Sequence, residues 1–97
     1  MADINVRHNE KAHRFESETD GKTSYTEYEI SDAGAMVFTH TIVPEELEGR
    51  GIASTIVRTA LDHARQNQLS IVPDCAYVAS WIERHPDYAD LVPPEYR

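Results

Sequence analysis

The 97-residue chain has one cysteine, no long apolar run, and 9 Lys and Arg against 17 Asp and Glu. Cys75 alone cannot close an internal disulfide, and no basic-then-apolar N-terminal stretch reads as a signal peptide, so a reducing cytoplasmic location is expected. No segment approaches the roughly 20 apolar residues that cross a bilayer as a helix. A net charge of −8 opposes the phosphate neutralisation behind most nucleic-acid affinity, and it disfavours anionic membrane surfaces too. The acidity suits a cationic or amine partner, or simply a solvated surface. With 4 Gly and 5 Pro, and 40% apolar residues, the composition is that of an ordinary globular domain rather than a disordered or fibrous one. Its length suits one domain over residues 1–97.

Turn signals at Asn9 to Lys11, Thr19-Asp20-Gly21 and Ser31-Asp32-Ala33-Gly34 divide the first 43 residues into β-favouring stretches. They predict a four-strand antiparallel meander, with strands near Ile4 to His8, Ala12 to Ser17, Thr23 to Ile30 and Ala35 to Val43. In the last stretch Val37, Thr39, Thr41 and Val43 alternate with Met36, Phe38, His40 and Ile42, which gives a strand two distinct faces. From Gly51 the period changes. Ile52, Ile56, Ala60 and Ala64, widened by Ala53, Val57 and Leu61, form the apolar stripe of a four-turn helix ending in Gln66-Asn67-Gln68. Leu69 to Val72 reads as a short buried strand closed by Pro73. A second helix follows over Ala76 to Arg84, cut before Pro86, with Val78, Trp81 and Ile82 as core. Asp87 to Leu91 forms a further turn, and Val92 to Arg97 a tail. The order is ββββαβα, an α+β layout with a helix on the sheet.

The segment from Val43 to Ser54 carries the most chemistry. It passes from a strand to a helix through Gly49-Arg50-Gly51. The first N–H groups of a helix have no intrahelical partner, the helix dipole is positive there, and glycines let an anion come close to the backbone. Arg50 can add a charge-assisted bond. A tight turn with strain-relieving glycines is the other reading. The segment is neither a Walker loop, since no Gly-Lys-Ser/Thr follows, nor a Rossmann fingerprint, since the preceding sheet reads antiparallel.

Glu48-Gly49-Arg50-Gly51-Ile52-Ala53 resembles the Gln/Arg-x-x-Gly-x-Gly/Ala loop that holds the acyl-CoA diphosphate in the GNAT N-acetyltransferase superfamily. The run from His40 to Val92, including Ile71-Val72-Pro73-Asp74-Cys75 and Arg84-His85-Pro86-Asp87-Tyr88, resembles more closely its very small stand-alone members. The resemblance implies a minimal GNAT-like fold whose fourth and fifth strands splay apart to admit the pantetheine arm. It implies backbone contacts at Ile42 and Val43, and a diphosphate on Glu48, Gly49, Arg50, Gly51, Ile52, Ala53 and Ser54. Glu48 departs from the pattern, because it stands where the superfamily usually has Gln or Arg, leaving Arg50 as the nearest cation. At this length the early helices and final strands of larger members, which build much of the acceptor wall, are absent.

The same resemblance puts Cys75 near the acyl thioester. There a thiolate at a helix start can take an acetyl group and pass it on, or the residue is a buried small hydrophobe. Direct transfer to an amine needs a base and an acid, for which His40 and Tyr77 are the candidates; both residue types also serve as ordinary packing groups. Glu45 and Glu46 are further bases or solvated loop acids. The histidines His8, His13, His40, His63 and His85 lack ligand spacing, so no metal is expected. There is no Gly-x-Ser-x-Gly elbow. The expectation is an acetyl-CoA-dependent N-acetyltransferase acting on an amine of a small molecule or protein, with acceptor and oligomeric state open. The alternatives are a CoA-binding module without turnover and a structural domain that keeps only the fold.

Overall fold

A computed structural model describes residues 4–96. Five strands form one sheet in sequence order: β1 (Arg7–Asn9), β2 (Arg14–Thr19), β3 (Lys22–Ile30), β4 (Met36–Ile42) and β5 (Ile71–Pro73). The first four make an antiparallel meander, and β5 joins β4 in parallel through Met36↔Ile71, Val37↔Val72 and Phe38↔Pro73. Parallel neighbours need a crossover. Helix α1 (Ile52–Gln66) supplies it, and helix α2 (Ala76–Arg84) follows β5. The expected ββββαβα order is the order found; the turn expected over Asp87 to Leu91 is a 3-10 turn at Pro86–Leu91, and two more short 3-10 turns at Glu45–Leu47 and Pro94–Tyr96 are added. Among the described residues no helix is long and apolar enough to cross a membrane.

The first hairpin differs from expectation. Its turn runs on to residue 13, because Asn9 Oδ1 accepts the Ala12 N–H at 3.2 Å and the Glu10 carbonyl accepts the His13 N–H at 3.2 Å. With His13 in the left-handed region at φ 56°, β2 begins at Arg14 rather than Ala12, and β1 at Arg7 rather than Ile4. The next turn, Asp20-Gly21, has φ of 53° and 76°, the twist that a two-residue hairpin demands. Leu69 also leaves its expected strand. Its N–H caps α1 by donating to the Ala64 carbonyl at 2.8 Å, while Gln68 takes φ 58°. The fifth strand is therefore shorter and later than Leu69 to Val72.

Phe15, Tyr28, Met36 and Phe38 face the helices and meet Ile56, Val57, Ala60 and Leu61 of α1 and Val78, Trp81 and Ile82 of α2 in one buried cluster. The other face turns Glu29, His40 and Ile42 to solvent. Strict alternation along β4 would put His40 and Ile42 on the same face as Phe38. A bulge prevents it. Glu27 pairs with His40 but Tyr28 pairs with Phe38, so Thr39 is extra and the strand changes phase. Beyond the bulge it is Thr41 that faces inward, opposite the fully buried Thr26.

Candidate active site

A cleft of about 370 Å³ opens where the end of β4 meets the start of α1. Its walls are Thr41 and Val43, the loop residues Leu47, Glu48, Gly49 and Gly51, the first turn Ile52-Ala53-Ser54, and Tyr77 of α2. The loop is anchored by Leu47, which a single 3-10 turn carries into the core at 2% exposure. Glu46 is drawn away to Lys22, with Nζ and Oε2 2.8 Å apart, and that bond holds its carboxyl below the ordinary carboxylate value.

Gly49 and Gly51 adopt φ of 84° and 78°, a region closed to most side chains, and a Cβ on either would meet nothing within 4 Å beyond its own chain neighbours. The glycines thus serve the turn and leave open space above it. Gly51 is the N-cap of α1. No side chain caps the helix there, and its first turn contains no acid. The unmatched N–H groups and the positive end of the dipole are left without a counter-charge from the first turn. Ser54 Oγ accepts the indole N–H of fully buried Trp81 at 2.9 Å, which fixes this turn against α2. Arg50 is not in the cleft lining; its guanidinium donates to Asp20 Oδ2 at 3.3 Å.

The β4–β5 ladder stops at Phe38↔Pro73, while β4 runs on to Ile42. Pro73 has no N–H with which to extend it. Cys75, the N-cap of α2, lies beyond this opening with 8% of its surface exposed. Its Sγ is 3.3 Å from Thr41 Oγ1, and Thr41 Oγ1 is 2.9 Å from Thr26 Oγ1. A row of polar side chains therefore runs inward from the cleft wall.

The structure brings Val43, Glu48, Gly49, Gly51, Ile52, Ala53, Ser54 and Tyr77 together around one cleft, with Cys75 in contact with its wall. It does not bring His40 there. That imidazole lies on the open face, its side chain 66% exposed, with Nδ1 3.4 Å from Glu27 Oε1. Ile42 is 46% exposed and turned the same way by the bulge, so only its backbone is available to the cleft side. Thr41 and Leu47 were missed by sequence reasoning. The alternation that marked β4 contained Thr41, but the bulge that turns it inward leaves no signature in the residue types.

The family model for GCN5-related N-acetyl-transferases matches residues 14–91. Among curated proteins the chain is similar to Protein NATD1 of Xenopus tropicalis, 27% identical over 85 residues that make up 86% of this chain and 78% of that protein. It is similar also to Protein NATD1 of Gallus gallus, at 28% over 85 residues, 86% of this chain and 77% of that one. The solution structure of a GCN5-like N-acetyltransferase candidate from Staphylococcus aureus shares the fold, with a TM-score of 0.74 and 24% identity over 96% of this chain and 91% of that one.

Proposed function

Since the chain belongs to the GCN5-related N-acetyltransferase family, we propose that it binds acetyl-CoA in the cleft at the start of α1 and transfers the acetyl group to an amine. The observation that carries this reading is the uncapped, acid-free first turn of α1 behind two glycines of positive φ. A diphosphate fits such a place, because the main-chain donors are preorganised and the space a Cβ would fill is free. The N–H groups of Gly51 to Ser54 would hold it, and the Ser54 hydroxyl, whose oxygen accepts from Trp81, would donate its own proton. Arg50 would swing from Asp20 to add charge. Glu48 carries the wrong sign and would stay turned to water.

From the phosphates, the unladdered stretch of β4 leads towards Cys75. In the reading proposed here the Cys75 thiolate attacks the acetyl carbonyl carbon, the bond from that carbon to the CoA sulfur breaks, and CoA leaves as a thiolate. Tyr77, on the cleft wall, supplies the proton this leaving group needs and regains it from water. A neutral amine then attacks acetyl-Cys75. The new C–N bond forms, the bond to Sγ breaks, and the amine nitrogen gives up its extra proton to water. His40, on the open face, has no step in this sequence.

A second reading, a CoA-binding module without turnover, is favoured by the shortage of ionisable groups in the cleft, where Glu48 and Tyr77 are the only lining residues with an ionisable side chain. Calorimetry with CoA and thiol release from acetyl-CoA over a panel of polyamines, aminoglycosides and lysine or N-terminal peptides separate the two. Binding with thiol release supports transfer, binding with silence across the panel supports the module, and no binding leaves only a shared fold. Labelled acetyl retained by the protein and lost in Cys75→Ala supports the covalent step; normal turnover by that variant removes it.

A further inference from the structure

Resting on the proposal that Cys75 carries the acetyl group, we infer that Thr41 and Thr26 are positioning residues that form a reversible hydroxyl relay, set to stabilise the sulfur as a thiolate. The two hydroxyls stand in line behind Sγ. Thr41 Oγ1 is 3.3 Å from Sγ, Thr26 Oγ1 is 2.9 Å from Thr41 Oγ1, and the Thr26 hydroxyl also reaches the His40 carbonyl at 3.3 Å. Thr26 is fully buried, so its hydroxyl must find its partners inside the protein.

Each hydroxyl has one proton to donate, which leaves two consistent settings. With Cys75 as a thiol, S–H donates to Thr41, Thr41 to Thr26, and Thr26 to the His40 carbonyl. With Cys75 as a thiolate, the sulfur only accepts, so Thr41 turns its proton to Sγ and Thr26 turns its own to Thr41. No proton travels the row, because a carbonyl at the far end cannot take one up. The thiol proton leaves through the cleft to water while two hydroxyls rotate. The thiolate then receives a hydrogen bond from a donor that is itself polarised by a second, in a site shielded from bulk solvent, where such bonds are strongest.

The β4 bulge is what makes this arrangement, since without the extra residue Thr41 would face solvent rather than Thr26 and Cys75. From β4 the polar group that meets Sγ is Thr41; Cys75 stands at the N-terminus of α2 but its side chain makes no capping bond there, and the nearest titratable neighbours along the chain are Asp74 and Tyr77. All but Thr41 are retained in the variants that test its role.

The test is the ultraviolet thiolate absorbance of the purified protein, with Cys75→Ala as the blank, at a fixed pH at which a minor fraction of the thiol is ionised. Because this is the only cysteine, the difference is its own signal. Thr41→Val should lower the ionised fraction roughly ten-fold, the loss expected for one hydrogen bond to a charge. Thr26→Val should give a smaller loss, and Thr41→Ser, which keeps the hydroxyl and drops the methyl, should return to the wild-type value. A signal unchanged in Thr41→Val, or equally reduced in Thr41→Ser, overturns the relay. The readout needs neither acetyl-CoA nor turnover. A Cys75→Ala variant with normal turnover would end the acyl-carrier reading, whereas the absorbance series judges the relay alone.

Discussion

Trp81 donates its indole N–H to Ser54 Oγ across 2.9 Å, joining α2 to the turn of α1 on which the cofactor would rest. Trp81 is fully buried, so Ser54→Ala would leave its donor without a partner. The cost of such an orphan is about 1–3 kcal/mol. Urea unfolding should therefore show a lower midpoint for Ser54→Ala with an unchanged slope. CoA affinity should fall as well, since the turn loses both its tether and a hydroxyl. An unaltered midpoint would mean the bond contributes nothing to the packing of the two helices.

Gly51 and Gly34 share a positive φ, 78° and 85°, yet only Gly51 lines the cleft. Alanine at either position should cost about 1–2 kcal/mol through left-handed strain alone. Because the new methyl at Gly51 would stand in the space assigned to the diphosphate, Gly51→Ala should also weaken CoA binding at least ten-fold by calorimetry, while Gly34→Ala leaves it intact. Equal affinities for the two variants would separate the loop from the ligand.

Arg50 and Asp20 form an exposed pair, and exposed pairs contribute little to stability. Asp20→Asn should change the unfolding free energy by less than about 0.5 kcal/mol. It should nevertheless tighten CoA binding several-fold by freeing Arg50, and Arg50→Gln should weaken it. Both effects should shrink in high salt. If Arg50→Gln binds CoA as the wild type does, backbone donors alone hold the phosphates.

The legibility of this chain was uneven for identifiable reasons. Helix α1 announced itself because Ile52, Ile56, Ala60 and Ala64 repeat at the helical period, and all but Ile52, at 3%, are fully buried. The glycine loop was equally visible, since φ above zero at Gly49 and Gly51 is a property of the residue type. The face of His40 was not. A bulge is set by the pairing of β3 with β4, which is a long-range fact, and one extra residue at Thr39 exchanges the inward and outward sets beyond it. The same insertion hid Thr41. The β1 and β2 limits slipped because His13 takes a left-handed turn conformation that glycine or asparagine would have signalled and histidine does not.

Glu16 offers a test by pH. Its carboxylate is buried on the sheet, and although burial pushes its pKa up, hydrogen bonds from Arg7 and Asn9 and the charge of Arg14 outweigh that and hold it below the ordinary 4.5. The unfolded chain therefore takes up this proton first as pH drops, so the contribution is complete above pH 4.5 and is lost as pH falls through the lower folded value. Glu16→Gln should be less stable than wild type at neutral pH by about 2 kcal/mol, with the gap closing in acid. A gap that stays constant down to the acid limb would show that the charge of Glu16 is not what matters.

The proposed function depends above all on where CoA sits. Amide resonances followed by NMR during a CoA titration report this directly, since a diphosphate on main-chain donors moves the N–H signals that hold it. The largest shifts are expected at Gly49, Gly51, Ile52, Ala53 and Ser54, with smaller ones at Thr41 and Tyr77. Saturable shifts centred instead on Glu27, Glu29 and His40 of the open face, with the α1 turn unmoved, would contradict it.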